Sequence, residues 1–337
     1  MSRIGIVTPY WNDTTPEEIV RFARLAEELG YDSIWIPEMW GRDAFTLATL
    51  IAINTERVKI ATGVVSVFSR SPAVIASTFA TIDELSGGRA VLGLGTSGPA
   101  VIEGWHGINY NMPLKRTREY IDIVRLIVSG ARANYDGKIF KLKNFRLMFE
   151  PFRKEVPIFL AAMGPKNTEL AGEAADGWIP YLIPVGSLST LREHLAQGAA
   201  KGGRRVEEIT IAPYLPACVH GSGTAGADTE RVIKEHIAYY IGGMGTFYSE
   251  TLARCGFERE AKGIKEAWEN RDKSKAVESV SDELLHSVAV IGTKDGCLKK
   301  IEEFRREGAG LPVLMFPPKA TREMARDTME ALAPRYN

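Results

Sequence analysis

The sequence predicts an α/β chain folded as a closed (β/α)8 TIM barrel with insertions. Three observations predict it. Eight short, apolar, β-prone segments recur along the chain, amphipathic helical patterns separate most of them, and no Pro-, Gly- or Ser-rich linker divides the 337 residues. Strands that alternate with amphipathic helices form a parallel sheet buried on both faces. A barrel of this kind needs about 250 residues, so insertions account for the rest. The expected organisation is one domain over 1–337, with insertions at about 130–156 and 228–285.

The first unit sets the rhythm. Ile4, Ile6 and Val7 mark a strand. Thr15, Pro16 and Glu18 then spell a helix start, with a capping Thr, a Pro at the first helical position and a Glu that closes a capping box. Ile19, Phe22, Ala23, Ala26 and Leu29 share one helical face before Gly30 stops the helix. Strands follow at 33–36, 58–62 and 90–94, with helices at 45–53 and from Ser71-Pro72 to Gly87-Gly88. The second half adds a helix at 113–128, a hairpin around Tyr135-Asp136-Gly137-Lys138, and a strand at 157–161 with its helix at 167–175. A strand at 177–181, a helix at 188–201 and a strand at 209–213 precede the helical insertion. A helix at 294–307 and a strand at 311–315 complete the set.

Composition removes several function classes. Forty-two basic residues balance 42 acidic ones, so neither nucleic acid nor an anionic membrane is an expected partner. No apolar run approaches the ~20 residues of a membrane helix, and no secretory signal is visible. Cys218, Cys255 and Cys297 lack metal-ligand or redox spacing and suit a reducing, cytoplasmic setting. No metal site is expected. Gly93-Leu94-Gly95-Thr96-Ser97-Gly98 matches G-x-G-x-x-G, but no acidic residue ends a clear next strand, so it reads as a barrel junction. Walker A, H-E-x-x-H and G-x-S-x-G sequences are absent.

A barrel of this type carries its site at the C-terminal strand ends. Those ends read Thr8-Pro9-Tyr10-Trp11, then Glu38-Met39-Trp40 with Arg42, then Thr62-Gly63-Val64 with Arg70. Gly95-Thr96-Ser97-Gly98 follows, with Glu103, Trp105 and His106 after it. The later ends are Ala162-Met163-Gly164-Pro165-Lys166, Tyr181, Tyr214 and Phe316. Rings, glycines and hydroxyls with few converging charges suit a large planar ligand. The junctions at Gly95–Gly98 and Met163–Lys166 open onto helix N-termini, which favour phosphate. Structural roles compete at several positions. Glu38 can pair with Arg42 or cap the next helix. His106 can pack on Trp105, Thr96 and Ser97 can cap a helix, Arg70 can pair with a carboxylate, and Trp40 and Trp178 can be core. The stretch from Glu266 to Lys275 reads as a solvated helix face.

At these junctions the sequence resembles the bacterial luciferase-like superfamily, in particular its deazaflavin-dependent branch, which includes the methylenetetrahydromethanopterin reductases. The carrying segments are Leu29–Trp35, Ala61–Val64, Arg70–Ala73, Thr81–Arg89, Gly93–Thr96, Ala161–Pro165 and Ala171–Gly177, in that order. The resemblance implies an oxidoreductase that transfers hydride between coenzyme F420 and a small organic substrate. It implies a flavin-like ring at the barrel mouth, backed by a non-proline cis peptide matching Gly63–Val64, with the phosphate at Met163–Lys166. Cofactor contacts are expected from Thr8, Met39, Thr62, Gly63, Val64, Gly95, Thr96, Ser97, Ala162, Met163, Gly164, Pro165 and Lys166. Relatives often carry an Asp-His pair where this chain has Glu38-Met39, and an acidic residue where Ser97 stands. Glu38 is therefore the first candidate for proton transfer and His106 the second. An FMN-dependent monooxygenase and a non-catalytic flavin or deazaflavin binder are the alternatives. Apolar helices around the barrel are compatible with a homodimer.

Overall fold

The computed structural model describes residues 3–9, 11–221 and 224–335. Tyr10, singled out at the first strand end, lies outside these residues. The barrel strands are β1 (Gly5–Val7), β2 (Ser33–Ile36), β3 (Lys59–Thr62), β4 (Ala90–Gly95), β5 (Ile158–Ala161) and β6 (Gly177–Ile179). Two segments, Thr210–Ile211 and Tyr214–Val219, together make β7, and Val313–Met315 is β8. Every neighbouring pair is parallel, and β1 pairs with both β2 and β8. Thr210–Ile211 pairs with β6, while Tyr214–Val219 pairs with β8. The circuit therefore closes through β7. The break in β7 falls at Pro213, which has no N–H to donate, although its carbonyl still accepts from Val313 N at 2.9 Å.

The helices are α1 (Pro16–Glu28), α2 (Ala44–Ala52), α3 (Pro72–Leu85), α4 (Pro99–Gly104), α5 (Pro113–Val128), α6 (Pro165–Ala174) and α7 (Leu188–Lys201). Then come α8 (Thr224–Gly243), α9 (Phe247–Arg254), α10 (Glu258–Glu269), α11 (Lys273–Glu278), α12 (Asp282–Val288), α13 (Lys294–Arg306) and α14 (Arg322–Ala331). The capping box on α1 forms as the sequence predicts, with Thr15 and Glu18 exchanging bonds. The hairpin also forms, from Ala133–Asp136 and Lys141–Phe145.

Strand alternation separates two cores. Trp35 points into the lumen, where its ring meets Phe159 and Tyr214 edge-on at 5.4 and 5.8 Å. Its neighbours Ile34 and Ile36 point outward into the layer beneath the helices. A third cluster belongs to the insertion, where Ile233, Ile237, Ile241 and Ile264 pack with Leu284 and Leu285. Elements not anticipated from sequence include the strand Val290–Gly292, which extends the sheet beside β7, the two-residue strand Val65–Ser66, which pairs with β4, and α14. The expected stretch 266–275 is not one helix, since α10 ends at Glu269 and α11 begins at Lys273. Among the described residues, no helix is long and apolar enough to cross a membrane.

Candidate functional site

A cavity of about 920 Å³ opens at the C-terminal strand ends. Glu38, Met39, Gly63, Val64, Gly95, Thr96, Ser97, His106, Met163, Gly164, Pro165 and Lys166 all border it. Three expected cofactor residues lie elsewhere. The Thr62 hydroxyl donates to Gly93 O and accepts from Gly93 N, both at 2.8 Å, and so locks β3 to β4. Ala162 is buried and its carbonyl accepts the Trp178 indole N–H at 2.8 Å. That bond also makes Trp178 a core residue. Thr8 borders an adjoining cavity of about 370 Å³, together with Trp11 and Phe22, and this cavity shares Trp40 and Arg42 with the larger one.

Glu38 does not pair with Arg42. The Arg42 guanidinium reaches the carbonyls of Thr14 and Trp11 instead. Both Glu38 oxygens accept from Arg70, at 2.7 and 2.8 Å, and Oε1 also accepts from Ala44 N at 3.2 Å, at the start of α2. The same guanidinium donates to Asp43, which caps α2 through Thr46 N. Arg70 therefore binds two carboxylates, and Glu38 is held as a fork partner and helix cap. His106 packs on Trp105 with the rings tilted by 33° and their centres 4.6 Å apart, and Trp105 in turn meets Trp40 at 5.8 Å. Glu103 accepts from Tyr110 N and lies off the cavity lining.

At β3 the Gly63–Val64 peptide is cis, at the position the resemblance indicated. Gly63 permits a very close approach: a Cβ there would meet the Tyr214 hydroxyl at 2.0 Å. Opposite, a Cβ on Gly95 would meet Val64 Cγ2 at 2.8 Å. The β4 junction carries Ser97 at φ 55, and α4 has no side-chain cap, so neither Thr96 nor Ser97 caps it. The β5 junction leads into α6, which also starts without a side-chain cap. Its first-turn N–H groups and dipole thus stand at the cavity wall. Lys166 adds a cation there and shares it with Glu169 at 3.1 Å.

The insertion closes one side. Tyr239, Tyr240, Gly243, Met244, Gly245, Phe247 and Tyr248 from α8, α9 and their link border the cavity, as does Arg254. The Thr251 hydroxyl reaches the carbonyls of Phe247 and Met163, which ties α9 to the β5 junction. Sequence reasoning missed these residues; Gly242-Gly243 and Gly245, clustered between aromatic residues, were the available signal. Tyr181, which follows β6, packs edge-on against Tyr214, Tyr240 and Tyr248. Its hydroxyl is hydrogen-bonded to His236 Nε2. Burial lowers the His236 pKa from 6.5 to about 4 and raises the Tyr248 pKa to about 12.

The His236 shift has a stability consequence. Below the ordinary histidine pKa the unfolded chain takes a proton that the folded chain refuses. Stability from neutral His236 is therefore complete above about pH 6.5 and is lost as pH falls through about 4. The slope reaches at most about 1.4 kcal/mol per pH unit. Urea unfolding near pH 7 and near pH 4.5 is expected to show this loss in the wild type and a smaller one in His236→Phe. Equal losses would remove His236 as the source.

Comparison with known proteins agrees with this architecture. The family model described as luciferase-like monooxygenase matches residues 2–311. A Mycobacterium tuberculosis protein named as a coenzyme F420-dependent oxidoreductase is 32% identical, over 96% of this chain and 97% of its own. The 5,10-methylenetetrahydromethanopterin reductase of Archaeoglobus fulgidus is 31% identical, over 88% and 90% respectively. The solved structure of a coenzyme F420-dependent tetrahydromethanopterin reductase from Methanopyrus kandleri superposes with a TM-score of 0.84 at 23% identity, covering 99% of this chain and 98% of that one, and so shares the fold. No group of three or more His, Cys, Asp or Glu side chains among the described residues is placed to hold a metal ion. A closed barrel with its cavity at the strand ends and a family match over almost its whole length lead to one assignment: the chain belongs to the luciferase-like monooxygenase family.

Proposed function

We propose that this protein is a coenzyme F420-dependent oxidoreductase acting on a small organic substrate. The observation that carries this reading is the arrangement of one cavity, in which Gly63–Val64 borders the floor and the uncapped start of α6 borders the wall. The near-full-length relative named for coenzyme F420 supports it.

The residues present fit such a group. The cavity volume of about 920 Å³ is at the upper end for small-molecule and cofactor sites, and its lining is mostly apolar and aromatic. Gly63, Val64 and Gly95 offer close backbone surface for a flat ring. Met163 to Lys166 offer the α6 N-terminus and one cation for a phosphate. Arg254, from α9, also borders the cavity. When bound, the deazaflavin supplies the hydride chemistry. The protein orients the reactants, and the rings of α8 and α9 keep water from the mouth. Arg70 fixes Glu38 and Asp43 and so sets the position of the β2 loop.

Equilibrium binding of the purified apoprotein to coenzyme F420 and to FMN, side by side, tests the reading. F420 is expected to bind more tightly by about tenfold or more, a difference of about 1.4 kcal/mol. Tighter FMN binding would overturn it and favour an oxygen-consuming monooxygenase. Tight F420 binding with no turnover on any carbonyl, imine or activated alkene would favour a non-catalytic carrier.

A further inference from the structure

We propose that the smaller cavity beside the main one is a distal substrate subsite. It holds a flat apolar ring bearing a carboxylate, while the reacting carbon of the same molecule lies in the larger cavity. The ligand class follows from this cavity's own lining; its role as part of a substrate site rests on the F420 reading above.

Strand alternation places the cavity. Val7 packs in the lumen, whereas Ile6 packs in the layer beneath the helices. Thr8, two residues on from Ile6, continues outward with it. It borders a space of about 370 Å³ that Phe22 from α1 and Leu47 from α2 also line. The space thus lies between the barrel wall and the first two helices, under the β1 and β2 loops. It meets the larger cavity along the β2 loop, since Pro37, Trp40, Gly41 and Arg42 border both. One extended molecule passing Trp40 can therefore occupy both. The volume lies within the range of about 300–1,000 Å³ for small-molecule sites.

The walls are apolar and held in place. Pro9, Trp11, Ile19, Phe22, Leu47 and Trp40 supply the surface, and three of these are rings that suit a flat partner. The Trp11 indole N–H donates to Ala320 O at 2.8 Å. The Arg322 guanidinium lies over the Trp11 ring, 5.0 Å from its centre. Glu18 is the acidic side chain on this lining, and it is occupied. Its oxygens accept from Arg322 at 2.8 and 3.1 Å and from Thr15 N at 3.0 Å.

Two polar groups are left for a ligand. Thr8 keeps 7% of its surface exposed, and its hydroxyl makes no hydrogen bond among the described residues. Leaving such a group unpaired costs free energy that a ligand oxygen would recover. Arg42 donates to Thr14 O at 2.6 Å and more weakly to Trp11 O at 3.5 Å, and these bonds fix the guanidinium. No carboxylate pairs with it among the described residues, and the adjacent Asp43 is taken by Arg70. A guanidinium held by neutral carbonyls keeps its charge for an incoming anion, and a carboxylate matches its donors.

The test uses 2-naphthoate as probe and 2-naphthamide, of nearly the same shape, as its uncharged control. Calorimetric titration of the apoprotein is expected to give a Kd of about 1 mM or below for 2-naphthoate, with the amide about fivefold weaker or more. Thr8→Val keeps the side-chain shape and removes the hydroxyl. It is expected to weaken 2-naphthoate about fivefold and to leave F420 affinity within about twofold of wild type. Leu47→Trp fills the space from a position that does not border the larger cavity. It is expected to abolish 2-naphthoate binding and to spare F420. Saturating F420 is expected to leave the wild-type affinity for 2-naphthoate unchanged within about twofold.

No binding of 2-naphthoate to the wild type, or equal binding to wild type and both variants, would overturn the subsite. Competition between 2-naphthoate and F420, or loss of F420 affinity in Thr8→Val, would assign the space to the cofactor instead. An amide that binds as well as the acid would overturn the anionic class. A wild type that fails to bind F420 would overturn the cofactor reading alone, because the titrations of apoprotein and variants still decide whether the cavity takes the ring carboxylate.

Discussion

Gly63→Ala is expected to abolish measurable F420 binding and to cost roughly 1–3 kcal/mol or more of stability, as overpacked cores do. The cause is local. A Cβ at this position would lie 2.0 Å from the Tyr214 hydroxyl, and 3.2 Å from Trp35 Cβ and Tyr214 Cζ. Tyr214 is a buried lumen ring packed on Trp35, so it has little room to retreat. Either β3 or the ring must shift, and both carry the cavity floor. The double variant Gly63→Ala/Tyr214→Phe removes the atom in closest conflict. It is expected to recover about half of the lost stability, which a double-mutant cycle in urea would read as coupling. If Gly63→Ala unfolds and binds F420 like wild type, the close approach has no bearing on the site.

Arg153→Ala should cost roughly 3–5 kcal/mol, the scale for leaving a buried charge without its partner. Asp83 is buried, with 1% of its surface exposed. It accepts from Arg153 through both oxygens, at 3.0 and 2.5 Å, and from Ala90 N at 3.3 Å. Arg153 also donates to Ala90 O at 2.7 Å. One guanidinium thus ties the end of the hairpin insertion to α3 and to the start of β4. Asp83→Asn/Arg153→Ala is expected to be less destabilised than Arg153→Ala, since the amide leaves no buried charge. Thermal unfolding of the three proteins checks this. A double variant no more stable than the single one would point to lost packing as the main cost.

The two predictions separate what local sequence can carry from what it cannot. The barrel was legible because its signals are local. Apolar runs such as Ile34-Trp35-Ile36 and caps such as Thr15 with Glu18 act within a few residues of themselves, and the fold has few other ways to bury them. The cavity's position was legible for the same reason: Gly63–Val64 and Met163–Lys166, which border it, are strand-end segments, and a barrel sends strand ends to one face. Even within these segments, Thr62 and Ala162 turned out to serve the strands, because alternation directs neighbouring side chains to opposite sides.

Pairings across the fold were not legible. The Thr81–Arg89 segment was readable as a motif, yet the partner of Asp83 lies 70 residues further on. Glu38 has Arg42 nearby in sequence, but takes Arg70 because the β2 and β3 loops converge above the barrel. The insertion was legible as a helical segment but not in its individual contacts, and its packing sets Tyr240, Tyr248 and His236 around Tyr181. The sequence by itself determined the strands, the helix starts and the end of the barrel where the cavity opens, because each depends on short-range periodicity and capping. Tertiary structure alone decided which carboxylate is occupied and which hydroxyl has a partner behind it, because those depend on distances between residues that no local pattern records.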